Sequence, residues 1–129
     1  MNVVITGASA GIGRALAGTF ARDGHAVLVV ARRGERLQAL CQEMAEEKAA
    51  PVTCLELDLT RPGAPQALFE EAVRGFGKVH VLINNAGMSP YQEFHELHYA
   101  HLRQILALTE LCYLFLPHML AHGEPSHKR

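Results

Sequence analysis

Apolar positions along the chain follow two alternating rhythms. Val3–Thr6 and Ala26–Ala31 (Ala-Val-Leu-Val-Val-Ala) are continuous apolar runs, the pattern of strands covered on both faces. Between them, Ile12–Asp23 predicts a helix closed by Gly24. Residues 33–48 predict a second, amphipathic helix with Leu37, Leu40, Cys41 and Met44 on one face. Pro51–Leu57 reads as a third strand, Pro65–Phe76 as a helix stopped by Gly75 and Gly77, Val79–Ile83 as a fourth strand, and Glu96–Ala121 as a final helix. No internal repeat of fixed period is present. Strand–helix alternation with short connections implies right-handed crossovers and a parallel sheet between helices. The expected fold is α/β, a Rossmann-like parallel sheet of strand order 3-2-1-4 with flanking helices, an incomplete doubly wound fold. The expected ligand position is the switch point between the first and fourth strands. Residues 1–121 form the expected domain, and 122–129 a polar C-terminal tail.

The first strand runs into Thr6-Gly7-Ala8-Ser9-Ala10-Gly11-Ile12-Gly13 and then into the helix-like Arg14-Ala15-Leu16-Ala17. Gly7 allows the chain to leave the strand through angles a side chain disfavours. Gly11 and Gly13 remove β-carbons that would hold backbone and helix away from a pyrophosphate. The amides at the new helix N-terminus face the ligand with partial positive charge. The spacing is G-x-x-x-G-x-G rather than the G-x-G-x-x-G dinucleotide fingerprint. Glycines alone also make plain turns; the position after a buried-looking strand favours a phosphate cradle.

Composition narrows the classes. The chain has 129 residues, 49% hydrophobic and 19% charged, which fits one ordinary globular domain. A net charge of −1 gives no broad basic field for nucleic acid or anionic lipid. The apolar stretch from Ile105 to Leu120 contains Glu110 and Pro117 and is too short to span a bilayer. Met1 is followed at once by the first strand, so no signal peptide is expected and the expected compartment is the cytoplasm. Cys41, Cys54 and Cys112 are odd in number and widely spaced, and read as buried thiols in a reducing compartment. Among eight histidines, His95, His98 and His101 recur every third residue, and His118 and His122 stand one turn apart. The last spacing can present two imidazoles to a metal, but no Glu or Cys completes the set, so solvated helix faces are the preferred reading.

Three strand ends carry the ligand-specifying residues. Arg32 and Arg33 follow the second strand, with no carboxylate before Glu35. A carboxylate there would accept from a ribose 2′-hydroxyl, whereas arginine pairs with a 2′-phosphate. The bland alternative is two arginines opening an exposed helix. At the third strand, Asp58 lies between Leu57 and Leu59 and can accept from an adenine amine, or simply cap a turn before Thr60. At the fourth, Asn84-Asn85-Ala86-Gly87 follows Val81-Leu82-Ile83. The asparagines carry donors and acceptors that can tie this loop to neighbouring strands and reach the nicotinamide ribose, and Gly87 permits close approach.

In this order and spacing, the cradle, Arg32-Arg33, Leu57-Asp58 and Asn84-Asn85-Ala86-Gly87 resemble the short-chain dehydrogenase/reductase family, from Met1 to about Met119. The resemblance implies NADP(H)-dependent oxidation and reduction of an alcohol/carbonyl pair. It implies cofactor contacts from Gly7, Ser9, Gly11, Ile12, Gly13, Arg32, Arg33, Asp58, Leu59, Asn84, Asn85, Ala86 and Gly87, with the arginines marking NADP(H) preference over NAD(H). Family members run to about twice this length. Their chemistry needs a serine after a fifth strand and a Tyr-x-x-x-Lys pair, because the alkoxide left by hydride transfer must be protonated.

Here Tyr91 is followed four residues on by His95, Tyr99 by Arg103 and Tyr113 by Pro117. The family's mid-helix asparagine is also missing: Arg103–Leu106 and Leu108–Leu111 abut at Ala107, as if about five residues were deleted. Such a deletion turns the downstream helix by about 140° and aims Leu111, Leu114 and Phe115 away from the face of Leu102, Ile105 and Leu106. The expectation is therefore a cofactor-binding half, truncated before the catalytic residues and incompetent in turnover. The alternative is a dinucleotide-binding or interaction module that associates with itself or a full-length relative through the fourth-strand edge and last helix. No metal is expected. Tyr91 and Phe94 can touch a substrate in a complete relative, but more often pack.

Overall fold

The structure is a computed structural model that describes residues 1–7, 11–32, 34–47, 49–85 and 99–121. Ser9, Arg33, Ala86, Gly87, Tyr91, Phe94, His95, His98 and the 122–129 tail lie outside the described residues. The chain runs β1 (Asn2–Thr6), α1 (Gly11–Arg22), β2 (Ala26–Ala31), α2 (Gly34–Glu46), β3 (Val52–Glu56), α3 (Ala64–Phe76), β4 (Val81–Asn84) and α4 (Tyr99–Ala121). The four strands form one sheet of order β3-β2-β1-β4 with every pair parallel. The Rossmann-like order expected from the alternation is the one found.

The continuous apolar runs have the expected cause. Val3 and Ile5 point to one face, with Val27, Val29, Leu37, Leu40 and Met44; Val4 points to the other, with Leu28, Val30, Leu68, Leu111 and Phe115. Successive side chains alternate faces, so a strand buried on both sides must be apolar at every position. The helices α1 and α2 cover the first face, and α3 and α4 the second. Arg14–Glu43 and Arg22–Glu47 ion pairs tie α1 to α2 at the rim.

The helix α1 ends as its sequence predicts. Gly24 sits at φ 91°, its amide donates to the Ala21 carbonyl, and the His25 amide donates to the Phe20 carbonyl. This double closure satisfies carbonyls left over at the helix end.

Element ends differ where side chains intervene. The fourth strand begins at Val81 rather than Val79; before it, the Val79 amide donates to His118 Nε2 (3.3 Å) and the His80 amide to the Asn2 carbonyl (3.0 Å). His118 also packs edge-on against Phe69, with ring centroids 5.7 Å apart, so it is a half-buried tie between α4 and the β4 entry rather than a solvated face residue. The helix α4 is one continuous element whose buried line is Ala107, Leu111 and Phe115. Ile105 and Leu106 are exposed, on a different side from Leu111 and Phe115. Among the described residues, no helix is long and apolar enough to cross a membrane.

The cysteines depart from the sequence reading. Cys41 on α2 and Cys54 on β3 are joined by a disulfide, with Cα atoms 6.7 Å apart. Thirteen residues of sequence separate them, but the crossover from α2 into β3 folds that separation away. Cys112 is a free, exposed thiol.

Candidate functional site

Parallel pairing puts the carboxyl ends of all strands at one edge. Thr6 is level with Val30 and with Asn84, and Ala31 with Glu56. The next residues of each strand, Gly7, Arg32, Leu57 with Asp58, and Asn85, therefore share that edge. Two backbone bonds extend the ladder past the strands: Gly7 to the Val30 carbonyl (2.7 Å) and Leu57 to the Ala31 carbonyl (3.0 Å). Of the residues expected to bind cofactor, Gly7, Gly11, Ile12, Gly13, Arg32, Asp58, Leu59, Asn84 and Asn85 fall within the described residues.

Gly7 takes φ 67° and Gly11 φ 60°, in the left-handed region that glycine enters at little cost. Among the described residues, a β-carbon built on Gly11 meets nothing within 4 Å beside the start of α1. Ile12 is 65% exposed there, while Gly13 is buried against the sheet. The turn is also tied across the sheet. Asn85 Nδ2 donates to the Gly7 carbonyl (3.0 Å), and the buried Thr6 hydroxyl reaches the Ile83 carbonyl at 3.4 Å. Asn84 Nδ2 instead faces α4, near the Leu108 carbonyl (3.3 Å) and Cys112 Sγ (3.1 Å), and its buried Oδ1 lacks a hydrogen-bond partner among the described residues. The tie to a neighbouring strand expected of the asparagine pair is made by Asn85, to the residue that follows β1, whereas Asn84 turns to α4.

Asp58 takes the turn-capping geometry. Its Oδ1 accepts from the Thr60 hydroxyl (2.6 Å) and the Thr60 amide (3.0 Å), and Oδ2 lies 4.0 Å from Arg61 Nε. The Thr60 hydroxyl holds the carboxyl below the usual range against the opposing effect of burial; the Thr60 amide, then Arg32 and Arg61, add to the lowering. Arg32 is exposed and its charge adds only a smaller lowering at Asp58 than the Thr60 bonds do.

Three further relationships are not legible in the sequence. Glu56 lies so close to Gly34 at the start of α2 that a β-carbon there would collide with its carboxylate. Arg103 on α4 donates to the Thr60 carbonyl (2.8 Å) and holds the loop after β3. A cleft of about 680 Å³ between that loop and α4 is lined by Leu59, Arg61, Arg103, Glu110 and Tyr113 among others. Among the described residues, no group of three metal-ligating side chains comes together.

A parallel sheet of order 3-2-1-4 with helices on both faces defines a Rossmann-like fold. The short chain dehydrogenase family model matches residues 1–125, and the chain belongs to that family. A curated relative, 1-deoxy-11-beta-hydroxypentalenate dehydrogenase of Streptomyces arenae, is 35% identical over 131 residues, covering 96% of this chain and 46% of the relative. Among solved structures, L-sorbose reductase from Gluconobacter frateurii, complexed with NADPH and L-sorbose, superposes with a TM-score of 0.80 at 30% identity, over 95% of this chain and 48% of the reductase. An alcohol dehydrogenase from the archaeon Thermococcus sibiricus, complexed with 5-hydroxy-NADP, gives 0.77 at 29% identity, over 92% and 52%. The chain spans about half the length of the relatives it matches.

Proposed function

We propose that this chain is the nicotinamide dinucleotide-binding half of a short-chain oxidoreductase, with NADP(H) preferred over NAD(H). The observation that carries the reading is that Gly7 and Gly11 adopt left-handed angles, with space beside Gly11 among the described residues, and that Asn85 ties Gly7 to the β4 end. Such a turn accepts a pyrophosphate on the α1 amides. Gly7, Ser9, Gly11, Ile12 and Gly13 hold the phosphates; Arg32 and Arg33 take the 2′-phosphate; Asp58 and Leu59 border the adenine; Asn84, Asn85, Ala86 and Gly87 border the nicotinamide ribose. Asp58 Oδ1 is committed to Thr60, which leaves Oδ2 as the acceptor for an adenine amine. Complexes with NADPH and with 5-hydroxy-NADP among the structural neighbours support the choice of cofactor. When bound, the cofactor would supply hydride for a carbonyl carbon.

Residues 1–121 are assigned this binding, and 122–129 no part in it. Within the 129 residues no tyrosine is followed four positions on by lysine. The proposal therefore gives them cofactor binding without the proton transfer that completes carbonyl reduction, and expects no turnover from them alone. The test is a titration of the purified chain followed by nicotinamide fluorescence. Saturable one-to-one binding of NADPH is expected; a soluble, folded chain with no binding would overturn the assignment.

A second reading, an interaction module, draws on α4. Ile105, Leu106, Tyr113, Leu116 and Leu120 are all exposed, and β4 pairs only with β1 among the described residues. An apolar helix face beside an open strand edge favours association with a second copy or a full-length relative.

A further inference from the structure

We propose that Cys41 and Cys54 are a reversible thiol–disulfide pair that braces α2 against β3 and thereby tunes how tightly the adenosine side of the site holds its nucleotide. The affinity part rests on the dinucleotide reading above; the brace itself does not.

The positions explain why this bond reaches the site. The strand β3 is a sheet edge, hydrogen-bonded only to β2 among the described residues, and its side chains are partly or fully exposed along its length. Its hold on the fold depends on that one ladder and on packing against α2. Cys41 lies beside Leu40 and Met44 on the buried side of α2, and Cys54 is central in β3, so the disulfide adds a covalent link between the helix and the edge strand. The bridged elements end at the proposed 2′-phosphate and adenine positions. The helix α2 starts at Gly34, two residues past Arg32, and β3 ends at Glu56, whose carboxylate presses on Gly34. Asp58 follows two residues later and feels the Arg32 charge. A bond that fixes α2 on β3 therefore fixes the spacing of Arg32 and Asp58. Pre-organising two loops in this way raises affinity by lowering the ordering cost of binding.

The redox step needs a small-molecule disulfide such as oxidised glutathione. One protein thiolate attacks it and releases one glutathione thiol. The second protein thiolate attacks the mixed disulfide and releases the other. Two electrons and two protons pass from the cysteine pair to the glutathione disulfide, and excess reduced glutathione reverses the exchange. Cys112, on α4, is exposed and outside the bridge, and carries either its thiol or a glutathione mixed disulfide, which intact mass separates from the bridged pair.

The experiment equilibrates the full 129-residue chain with reduced or oxidised glutathione, alkylates it and counts the adducts by intact mass. One modified cysteine, alkylated or glutathionylated, is expected in the oxidised form and three alkylated cysteines in the reduced form. The oxidised form is expected to melt roughly 5–10 °C higher, from closing a loop of this length. It should bind NADPH about threefold or more tighter, and the Cys41→Ser/Cys54→Ser double variant should lose both responses to glutathione. Three adducts after oxidation, or identical melting of the two forms, would overturn the brace. Equal NADPH affinity in two forms that differ in melting would overturn the coupling alone. If neither form binds NADPH, the cofactor reading and the coupling fall together, while adduct count and melting still decide the brace.

Discussion

Asn85 Nδ2 stands 3.0 Å from the Gly7 carbonyl oxygen, so the end of β4 and the glycine turn after β1 are one hydrogen-bonded unit. The two residues are 78 positions apart in sequence. A cradle built this way is shaped before any ligand arrives, and its sensitivity to substitution should follow from backbone geometry more than from lost contacts.

The position of Gly11 tests that idea. Its φ of 60° disfavours any L side chain, although a β-carbon there meets no neighbour among the described residues. Gly11→Val is expected to cost about 1–2 kcal/mol in urea unfolding through the backbone alone. It should also abolish NADPH binding by filling that space with a branched side chain. Undiminished affinity in the folded variant would remove Gly11 from the cradle.

Acid sensitivity should track Asp58. Its carboxyl is held low first by the Thr60 hydroxyl. A depressed native pKa contributes stability that is complete above the unfolded value, about 4, and is lost as pH falls through the native value. Thr60→Val removes the hydroxyl and should cost about 1 kcal/mol at pH 7. The gap between variant and wild type should close as pH drops below 4 and the carboxyl protonates in both. Denaturant midpoints measured from pH 7 to pH 2 check this; a gap that stays constant across that range would point to a packing effect instead.

Two aromatic residues on α4 should behave oppositely. Phe115 is fully buried and meets Phe69 edge-on, with ring centroids 5.0 Å apart, whereas Tyr113 is 79% exposed. Phe115→Ala is expected to cost about 3–5 kcal/mol and to leave little native population, while Tyr113→Ala should change stability by no more than about 0.5 kcal/mol. Thermal melts followed by circular dichroism distinguish the two, and similar losses at both sites would mean that α4 packs by a different face.

The exposed residues of α4 bear on association. If Leu116 and Leu120, 55% and 71% exposed, lie in a self-contact, then Leu116→Lys with Leu120→Lys should convert a concentration-dependent sedimentation coefficient into a monomer value. A wild-type chain that sediments as a monomer at all concentrations would end the interaction reading.

Much of the architecture was legible because its physics is local. Buried parallel strands must be apolar at every position, amphipathic helices repeat their apolar residues near every third or fourth position, and both periods stand out in Ala26–Ala31 and in Leu37, Leu40 and Met44. Relationships that depend on chain crossings were not legible. The Cys41–Cys54 bond, the Val79–His118 hydrogen bond and the contact of Glu56 with Gly34 join residues that only the crossovers bring together. Asp58 lies between these cases. Its place at a strand end was readable, but the division of its two oxygens between Thr60 and Arg61 depends on the shape of the loop.

The central claim is that the arginines after β2 meet a 2′-phosphate at the carboxyl edge of the sheet. Its most direct test is the ratio of NADPH to NADH dissociation constants, measured by nicotinamide fluorescence in the wild-type chain and in the Arg32→Asp/Arg33→Asp variant. The expected result is tighter binding of NADPH by wild type, with preference reversed or abolished in the variant and NADH affinity largely retained. Equal affinities in wild type, or a variant that keeps its preference for NADPH, would contradict the account.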